Sequence, residues 1–194
     1  MDVKREWTNI IIKFICLVLL SGTVLSLALA DTLWPEDAQR LNVGINLLPA
    51  CLSADLALQE KLTPDGMLRI LVMHHNDLIS ATTVASGLLE LEAIRGFPLQ
   101  VEIISATSPG SPDPDPVAAL FIASPDIQTT VFDHWVAQRQ TQVFSPFSGD
   151  VERGAVAGLF ITDRILPFIN PARAKLAGVR YKPFFLRIAK QYDE

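Results

Sequence analysis

Two adjacent histidines, His74 and His75, are the residues of this chain that most directly suggest chemistry, because imidazoles are common metal ligands. They follow residues 68–73, a mostly apolar run typical of a strand buried on both faces. Neighbouring residues on a strand point to opposite faces, so the two rings cannot bind one ion without distortion. A zinc site normally needs three or four ligands, and only His134 and scattered carboxylates remain. We therefore predict no metal site.

The polar residues at this strand end have a second interpretation, as the lining of a small-ligand pocket. In open α/β sheets, ligands bind beyond the carboxyl ends of parallel strands. His74, His75, Asn76 and Asp77 occupy that position, and Ser124 follows another predicted strand. These five residues are candidate ligand-binding residues, and the alternative is ordinary strand-end polarity.

No motif for nucleophilic or nucleotide chemistry accompanies them. The chain has no G-x-S-x-G, no Walker loop and no G-x-G-x-x-G. Ser145 and Ser148 lie in a loop without an adjacent histidine, so an exported hydrolase using either serine is the least favoured function. We predict no catalytic residue and no cofactor, and we expect a protein that is not an enzyme.

The densest group of distinctive residues is the loop 144–152, with the sequence FSPFSGDVE. Proline, glycine and an acidic residue beside two phenylalanines are typical of a structured turn. One interpretation is that the aromatic rings fill the core. The other is that the loop presents rigid aromatic anchors to a partner protein.

The elements that would position these residues alternate along the chain. Helices are predicted over residues 41–58 (with a kink or break at Pro49), 80–94 (closed by Gly96 and Pro98) and 125–139. Strands are predicted over 68–73, 99–104, 117–123 and 142–144, and an exposed proline-rich loop over 109–116. This order predicts a three-layer α/β fold, with a mainly parallel sheet and helices on both faces.

The C-terminal part departs from this alternation. Apolar runs 155–162 and 165–169 predict an antiparallel hairpin. Asn170 before Pro171 is typical of a helix N-cap, and Gly178 of a helix end. A terminal helix from Lys182-Pro183 is predicted to have an apolar face made of Phe184, Phe185, Ile188 and Ala189, with the two phenylalanines in the core.

Residues 1–30 are typical of a secretory signal peptide. Lys4, Arg5 and Lys13 precede an apolar run over residues 14–30 that ends Ala28-Leu29-Ala30. We expect cleavage after Ala30, which leaves residues 31–194 as one exported, soluble domain. An uncleaved signal anchor is the alternative.

Cysteine content and charge restrict the partners. Cys51 would be the only cysteine of the exported chain, so it is either a buried thiol or one half of an intermolecular disulfide. Residues 31–150 carry 5 basic and 15 acidic side chains, a net charge of −10, whereas residues 151–194 carry 8 basic and 4 acidic, a net charge of +4. Nucleic acid is an improbable partner, but the basic C-terminal part suits an acidic protein surface or a small anion.

The motifs of the C-terminal third resemble those of the YfiR-like family of exported bacterial proteins. The resemblance rests on the runs FSPFSGDVERG (144–154), GLFI (158–161), ILPFIN (165–170), AGV (177–179) and KPFFLRIA (182–189). It implies a usually dimeric α/β domain that binds the periplasmic part of a membrane diguanylate cyclase and represses it, so that release raises cyclic di-GMP. Better-understood members carry paired cysteines, whereas this chain keeps Cys51 alone.

From these observations we predict partner contacts through the loop 145–152 and the basic C-terminal elements. The predicted partner-binding residues are Ser145, Phe147, Asp150, Arg164, Arg173, Arg180, Lys182 and Arg187. The alternative function is a periplasmic small-ligand receptor, similar to a solute-binding component, with its pocket at residues 74–77 and Ser124.

Overall fold

The structure, a computed structural model, describes residues 35–107 and 115–193. The bounds of its strands and helices follow in chain order. They are α1 (Pro35–Ala54), a 3₁₀ turn (Leu58–Lys61), β1 (Leu68–His74), α2 (Leu78–Leu89), β2 (Ala93–Ile94), β3 (Phe97–Ser105), β4 (Ala119–Ile122), α3 (Thr129–Asp133) continued by a π-helical turn (His134–Gln138), β5 (Gln142–Ser145), α4 (Asp150–Arg153), β6 (Ala157–Ile161), β7 (Ile165–Ile169), α5 (Pro171–Leu176), α6 (Pro183–Ile188) and β8 (Lys190–Gln191).

The strands form one mixed sheet in the order β2-β3-β1-β4-β5-β6-β7-β8. The central pairs β3-β1, β1-β4, β4-β5 and β5-β6 are parallel, and β6 and β7 form an antiparallel hairpin. The chain leaves β1 in one direction along the sheet, and β4 and β5 in the other. Right-handed crossovers therefore put α2 on one face and α3 and α4 on the opposite face. The predicted α/β fold, with its mainly parallel sheet and C-terminal hairpin, is confirmed.

The two central strands are the most deeply buried part of the sheet. Every residue of β4, and every residue of β1 except His74, is buried, because helices cover both faces. The close approach of β5 and β6 requires a glycine: a Cβ at Gly158 would overlap the carbonyl oxygen of Ser145 and lie 2.7 Å from Val151.

The second helix is shorter than predicted. It ends at Leu89, and residues 93–94 form β2, which pairs antiparallel with the start of β3. The turn between the two strands places Arg95 (φ 53°) and Gly96 (φ 82°) in the left-handed region, the conformation of a tight β-hairpin turn. Gly96 therefore closes a hairpin and does not end a helix.

Three other helix boundaries also differ from expectation. The first helix begins at Pro35, runs through Pro49 without a break and ends at Ala54. The third begins at Thr129, after a bend in which Asp126 has φ 62°. The last ends at Ile188 because the chain then pairs with β7 as β8.

The start of the C-terminal helix pair follows the sequence prediction. The side-chain oxygen of Asn170 accepts a 3.1 Å hydrogen bond from the backbone N–H of Arg173, as an N-cap does, and Gly178 has φ 64°.

The predicted signal peptide, the alternative signal anchor and most of the proline-rich loop 109–116 lie outside the described residues. Within residues 35–107 and 115–193, no helix has the length and apolar character needed to cross a membrane.

Candidate functional site

An apolar groove of about 450 Å³ lies between α1, β7 and α6. Its lining side chains come from both ends of the described chain. They are Leu47, Ala50, Ser53, Ala54, Ile165, Leu166, Pro167, Lys182, Phe184, Phe185 and Ile188.

Three large apolar side chains of this groove are exposed to solvent. Ile165 is 47%, Phe184 54% and Ile188 57% exposed. Phe184 and Ile188 are four residues apart, so they occupy the same face of α6. Phe185 faces inward and packs on Tyr181, with ring centroids 5.2 Å apart. The prediction that both phenylalanines belong to the core is therefore wrong for Phe184, because a short helix on the sheet edge buries only one side.

One basic side chain, that of Lys182, lines the groove. The Lys182 ammonium donates to the carbonyl oxygen of Ser53 at 3.0 Å, which fixes it at the C-terminal end of α1. Arg187 is exposed on α6. A ligand of this groove would therefore meet an apolar floor and the ammonium group of Lys182.

Hydrogen bonds between distant parts of the chain hold one wall of the groove in place. The buried carboxylate of Asp55 accepts 2.9 Å hydrogen bonds from the backbone N–H groups of Ala57 and Arg180. The N–H of Lys182 donates to the carbonyl of Ala54 at 2.9 Å, so α1 and the segment before α6 are joined on both sides of Asp55. This wall is preformed, which lowers the entropic cost of binding.

A buried lysine neutralises Asp55. The Lys61 ammonium lies 3.5 Å from the Asp55 carboxylate and donates to the carbonyl of Ala177 at 3.3 Å. Burial lowers the pKa of Lys61, and the nearby Asp55 charge partly opposes this shift. Burial also raises the pKa of Tyr181 well above its usual value, so the phenol stays neutral. No sequence pattern pointed to this cluster.

The loop 145–152 is a structural turn. Ser145 and Asp150 are fully buried, and Phe147 is 5% exposed. The Ser145 hydroxyl donates to Asp150 at 2.5 Å, and Arg153 also binds Asp150. The three predicted contact residues therefore hold the loop in shape, and a partner at this loop would touch the exposed Ser148 and Glu152 instead.

The other predicted basic residues are dispersed. Arg164 is exposed at the hairpin tip, 3.9 Å from Asp163. Arg173 is largely buried, with Nε donating to the Gly154 carbonyl and Nη2 to Asp133, both at 2.8 Å. Arg180 is exposed and pairs with Glu60 at 2.5 Å. Of the predicted basic residues, only Lys182 lines the groove.

Arg180 lines a second cavity, of about 490 Å³. Tyr181 and Leu186 also line it. The segment 180–186 therefore contributes residues to both cavities.

The predicted ligand-binding residues do meet at one sheet edge. The backbone N–H of His75 donates to the Ser124 hydroxyl at 3.1 Å, which joins the ends of β1 and β4. Asp77 caps α2 by accepting from the N–H of Ser80 at 3.0 Å. His74 Nδ1 and Asp77 Oδ2 are buried and form no hydrogen bond with any residue of 35–107 or 115–193. Because the crossovers leave β1 and β4 in opposite directions, this edge is the topological switch point of the sheet.

Within the part of the chain that the structure describes, no group of three or more His, Cys, Asp or Glu side chains is placed to hold a metal ion. Cys51 is fully buried, and burial raises its pKa to about 12. This agrees with the interpretation of a buried, inert thiol.

No family model and no curated protein matches the sequence. Among solved structures, the chain is similar to one described as the ABC domain in complex with L-Trp from Streptococcus pneumonia. The identity is 14% and the TM-score 0.44, over 73% of this chain and 60% of that one. The chain thus spans less than two thirds of that protein, and the tryptophan is that protein's ligand.

Proposed function

We propose that this chain is a non-catalytic regulator, exported to the periplasm, that binds the periplasmic domain of a membrane diguanylate cyclase and represses it. The partner identity comes from the resemblance to the YfiR-like family. The observation that carries a binding function is the apolar groove, with Ile165, Phe184 and Ile188 exposed in it.

The segment that carries the resemblance also lines part of the groove. The residues that carry the resemblance, 144–189, form the structure from β5 to α6 and supply one side of the groove. Gly158, Asn170 and Gly178 have evident structural roles in that segment. The exposed Phe184 and Ile188 have none, and contiguous exposed apolar side chains commonly mark interaction sites.

Charge favours an acidic partner surface. Residues 151–194 carry a net charge of +4 in a chain of net charge −5. Lys182 at the groove and Arg187 on α6 belong to this segment, so a partner with an apolar anchor and carboxylates around it would match both features.

Repression then needs no catalysis by this chain. A binder that prefers the inactive conformation of the cyclase shifts its population by the difference in affinity for the two conformations. Release of the binder restores the active population.

The test is binding of the purified protein to the purified periplasmic domain of a membrane diguanylate cyclase from the same organism. Phe184→Glu and Ile188→Glu place charge in the groove and should abolish binding. Leu176→Glu is the matched control, because Leu176 is 51% exposed and does not line the groove. Unchanged binding by both groove variants would refute the proposal.

A second candidate, a small-ligand receptor, is favoured by two buried polar atoms at the switch point that have no hydrogen-bond partner among the described residues, His74 Nδ1 and Asp77 Oδ2. A ligand that binds only the folded state raises its melting temperature. A saturable rise with one metabolite, lost in His74→Ala, would support this function. A broad metabolite panel without any shift would exclude it.

A further inference from the structure

A small cavity of about 150 Å³ lies between α1, the loop 145–152 and the β6-β7 hairpin. It is separate from the groove, and the two cavities share no lining residue. A Cβ at Gly44 would lie 3.1 Å from Pro146, so α1 packs directly on this loop. Pockets for whole small-molecule ligands usually measure about 300–1,000 Å³. This cavity therefore has room for one side chain and is too small for most metabolites.

Arg40 supplies the positive charge of this cavity. Its side chain is only 15% exposed. The guanidinium has five N–H groups, and three of them have acceptors. Nε and Nη2 donate to Glu36 Oε1 at 3.3 and 3.2 Å, and Nη1 donates to the carbonyl oxygen of Pro146 at 3.4 Å. Hydrogen bonds between an arginine and a carboxylate are usually about 2.7–2.9 Å long, so the Glu36 bonds are weak.

Glu36 is a poor permanent partner for this guanidinium. Its side chain is 77% exposed, and pairs of this i,i+4 kind on a helix surface contribute little to stability. One oxygen of Glu36 accepts both bonds, whereas a carboxylate in the plane of the guanidinium accepts with both oxygens. A carboxylate that enters the cavity would therefore bind Arg40 better than Glu36 does.

The cavity and the groove lie along the same two elements. Arg40 and Leu47, which line the cavity and the groove respectively, are seven residues apart on α1. Seven residues are close to two helical turns, so both side chains lie on one side of α1, about 10 Å apart along its axis. On β7, Phe168 lines the cavity and Leu166 lines the groove, from the same face of the strand. One partner surface is therefore able to reach both.

We propose that this cavity takes an Asp or Glu side chain of the cyclase's periplasmic domain, whose carboxylate binds Arg40 while an apolar side chain of the same surface fills the groove. The inference rests on the proposed function, and it specifies the partner's chemistry as a carboxylate about 10 Å from an apolar anchor. Glu152 also lines the cavity, but it is exposed, so water and salt screen its repulsion of the incoming carboxylate.

The experiment is titration calorimetry of the purified protein with the purified periplasmic domain of the cyclase. Arg40→Gln removes the charge and the two-pronged donor, and it should weaken binding about tenfold or more. Lys175→Gln is the control, because it removes one positive charge from an exposed position of α5 that lines neither the cavity nor the groove. It should bind like the unmodified protein, and thermal melts should show that both variants are folded.

Glu152→Gln tests the sign of the charge without a change at Arg40. It removes an exposed carboxylate beside the cavity, so binding at low salt should become about twofold tighter. Weaker binding would place a cationic group in the cavity and overturn the inference. Arg40→Gln that binds like the unmodified protein, while Phe184→Glu abolishes binding, would overturn this inference and leave the proposed function intact. An unmodified protein that does not bind the domain would overturn both.

Discussion

The hydroxyl of Ser145 donates a 2.5 Å hydrogen bond to the carboxylate of Asp150, and both side chains are completely buried. Ser145 ends β5 and Asp150 begins α4, so this bond closes the connection between the parallel strands β5 and β6. Arg153 binds the same carboxylate. The loop 145–152, which the sequence suggested as a partner-recognition loop, is therefore held rigidly against the core.

Asp150→Ala should destabilise the fold. It leaves the buried Ser145 hydroxyl and the Arg153 guanidinium without their acceptor, at a cost of about 1–3 kcal/mol. Urea unfolding measures the change. Glu152→Ala, at an exposed neighbouring position, is the control and should stay within about 0.5 kcal/mol. Equal stability of the two variants would show that the connection between β5 and β6 does not depend on the Asp150 carboxylate.

The same carboxyl group should make stability depend on pH. Burial raises the pKa of Asp150 above its usual value, although Ser145 and Arg153 partly oppose the shift. The folded state therefore holds this proton to higher pH than the unfolded state. Between the usual and the raised pKa, the contribution of Asp150 falls as pH rises. We expect the difference in unfolding free energy between the unmodified protein and Asp150→Asn to change across that interval. A constant difference would contradict the assignment.

Parts of the fold that rest on local periodicity could be predicted from the sequence. The apolar runs of β1 and β4 and the β6-β7 hairpin follow from patterns within a few residues. Gly96 was misread because a glycine after a helical pattern suits both a helix end and a hairpin turn. Phe184 was misread because a six-residue helix is too short for its pattern to show which side is covered.

The buried polar contacts could not be predicted, because they join distant parts of the chain. Asp55 binds the N–H of Arg180, 125 residues away, and no local pattern marks either residue. The strand-end positions of His74 and Ser124 could be predicted, since parallel strands end at a common edge. The groove could not be predicted from local patterns, because α1 and α6, which both line it, are over 100 residues apart in sequence.

Lys61→Met should destabilise the protein by leaving the buried Asp55 carboxylate without its counter-charge. Breaking a buried ion pair from one side typically costs about 3–5 kcal/mol. The two backbone donors to Asp55 remain, so we expect the lower end of that range. Chemical denaturation measures it, and Lys175→Met, at an exposed position of α5, is the control.

The pH dependence of that pair has the opposite sign to that of Asp150. The pKa of Lys61 is lowered in the folded state, so the unfolded state binds this proton more tightly. Between the lowered and the usual lysine pKa, the contribution of Lys61 to stability rises with pH. As the pH rises through this interval, the loss of unfolding free energy caused by Lys61→Met should therefore increase. A loss that decreases with rising pH would contradict the lowered pKa.

Charge reversal of two arginines should separate a structural from a surface role. Arg173→Glu breaks the bonds to Gly154 and Asp133 from a largely buried position and should lower stability by about 2 kcal/mol or more. Arg180→Glu changes a mostly exposed side chain and should stay within about 1 kcal/mol. Thermal melts of both variants must precede any partner-binding assay, because loss of binding in Arg173→Glu would otherwise reflect unfolding. Equal melting temperatures would contradict the structural role of Arg173.

Cys51 should be unreactive in the folded protein. It is fully buried on α1, and burial raises its pKa to about 12, so neither access nor a thiolate is available. Ellman's reagent should label it only as fast as the chain unfolds, and at once in denaturant. Ser148→Cys, at an exposed loop position, should react within the mixing time and serves as the control. It follows that no disulfide through Cys51 links two folded copies. A covalent dimer on a non-reducing gel, absent in Cys51→Ser, would contradict this conclusion and show that α1 opens in solution.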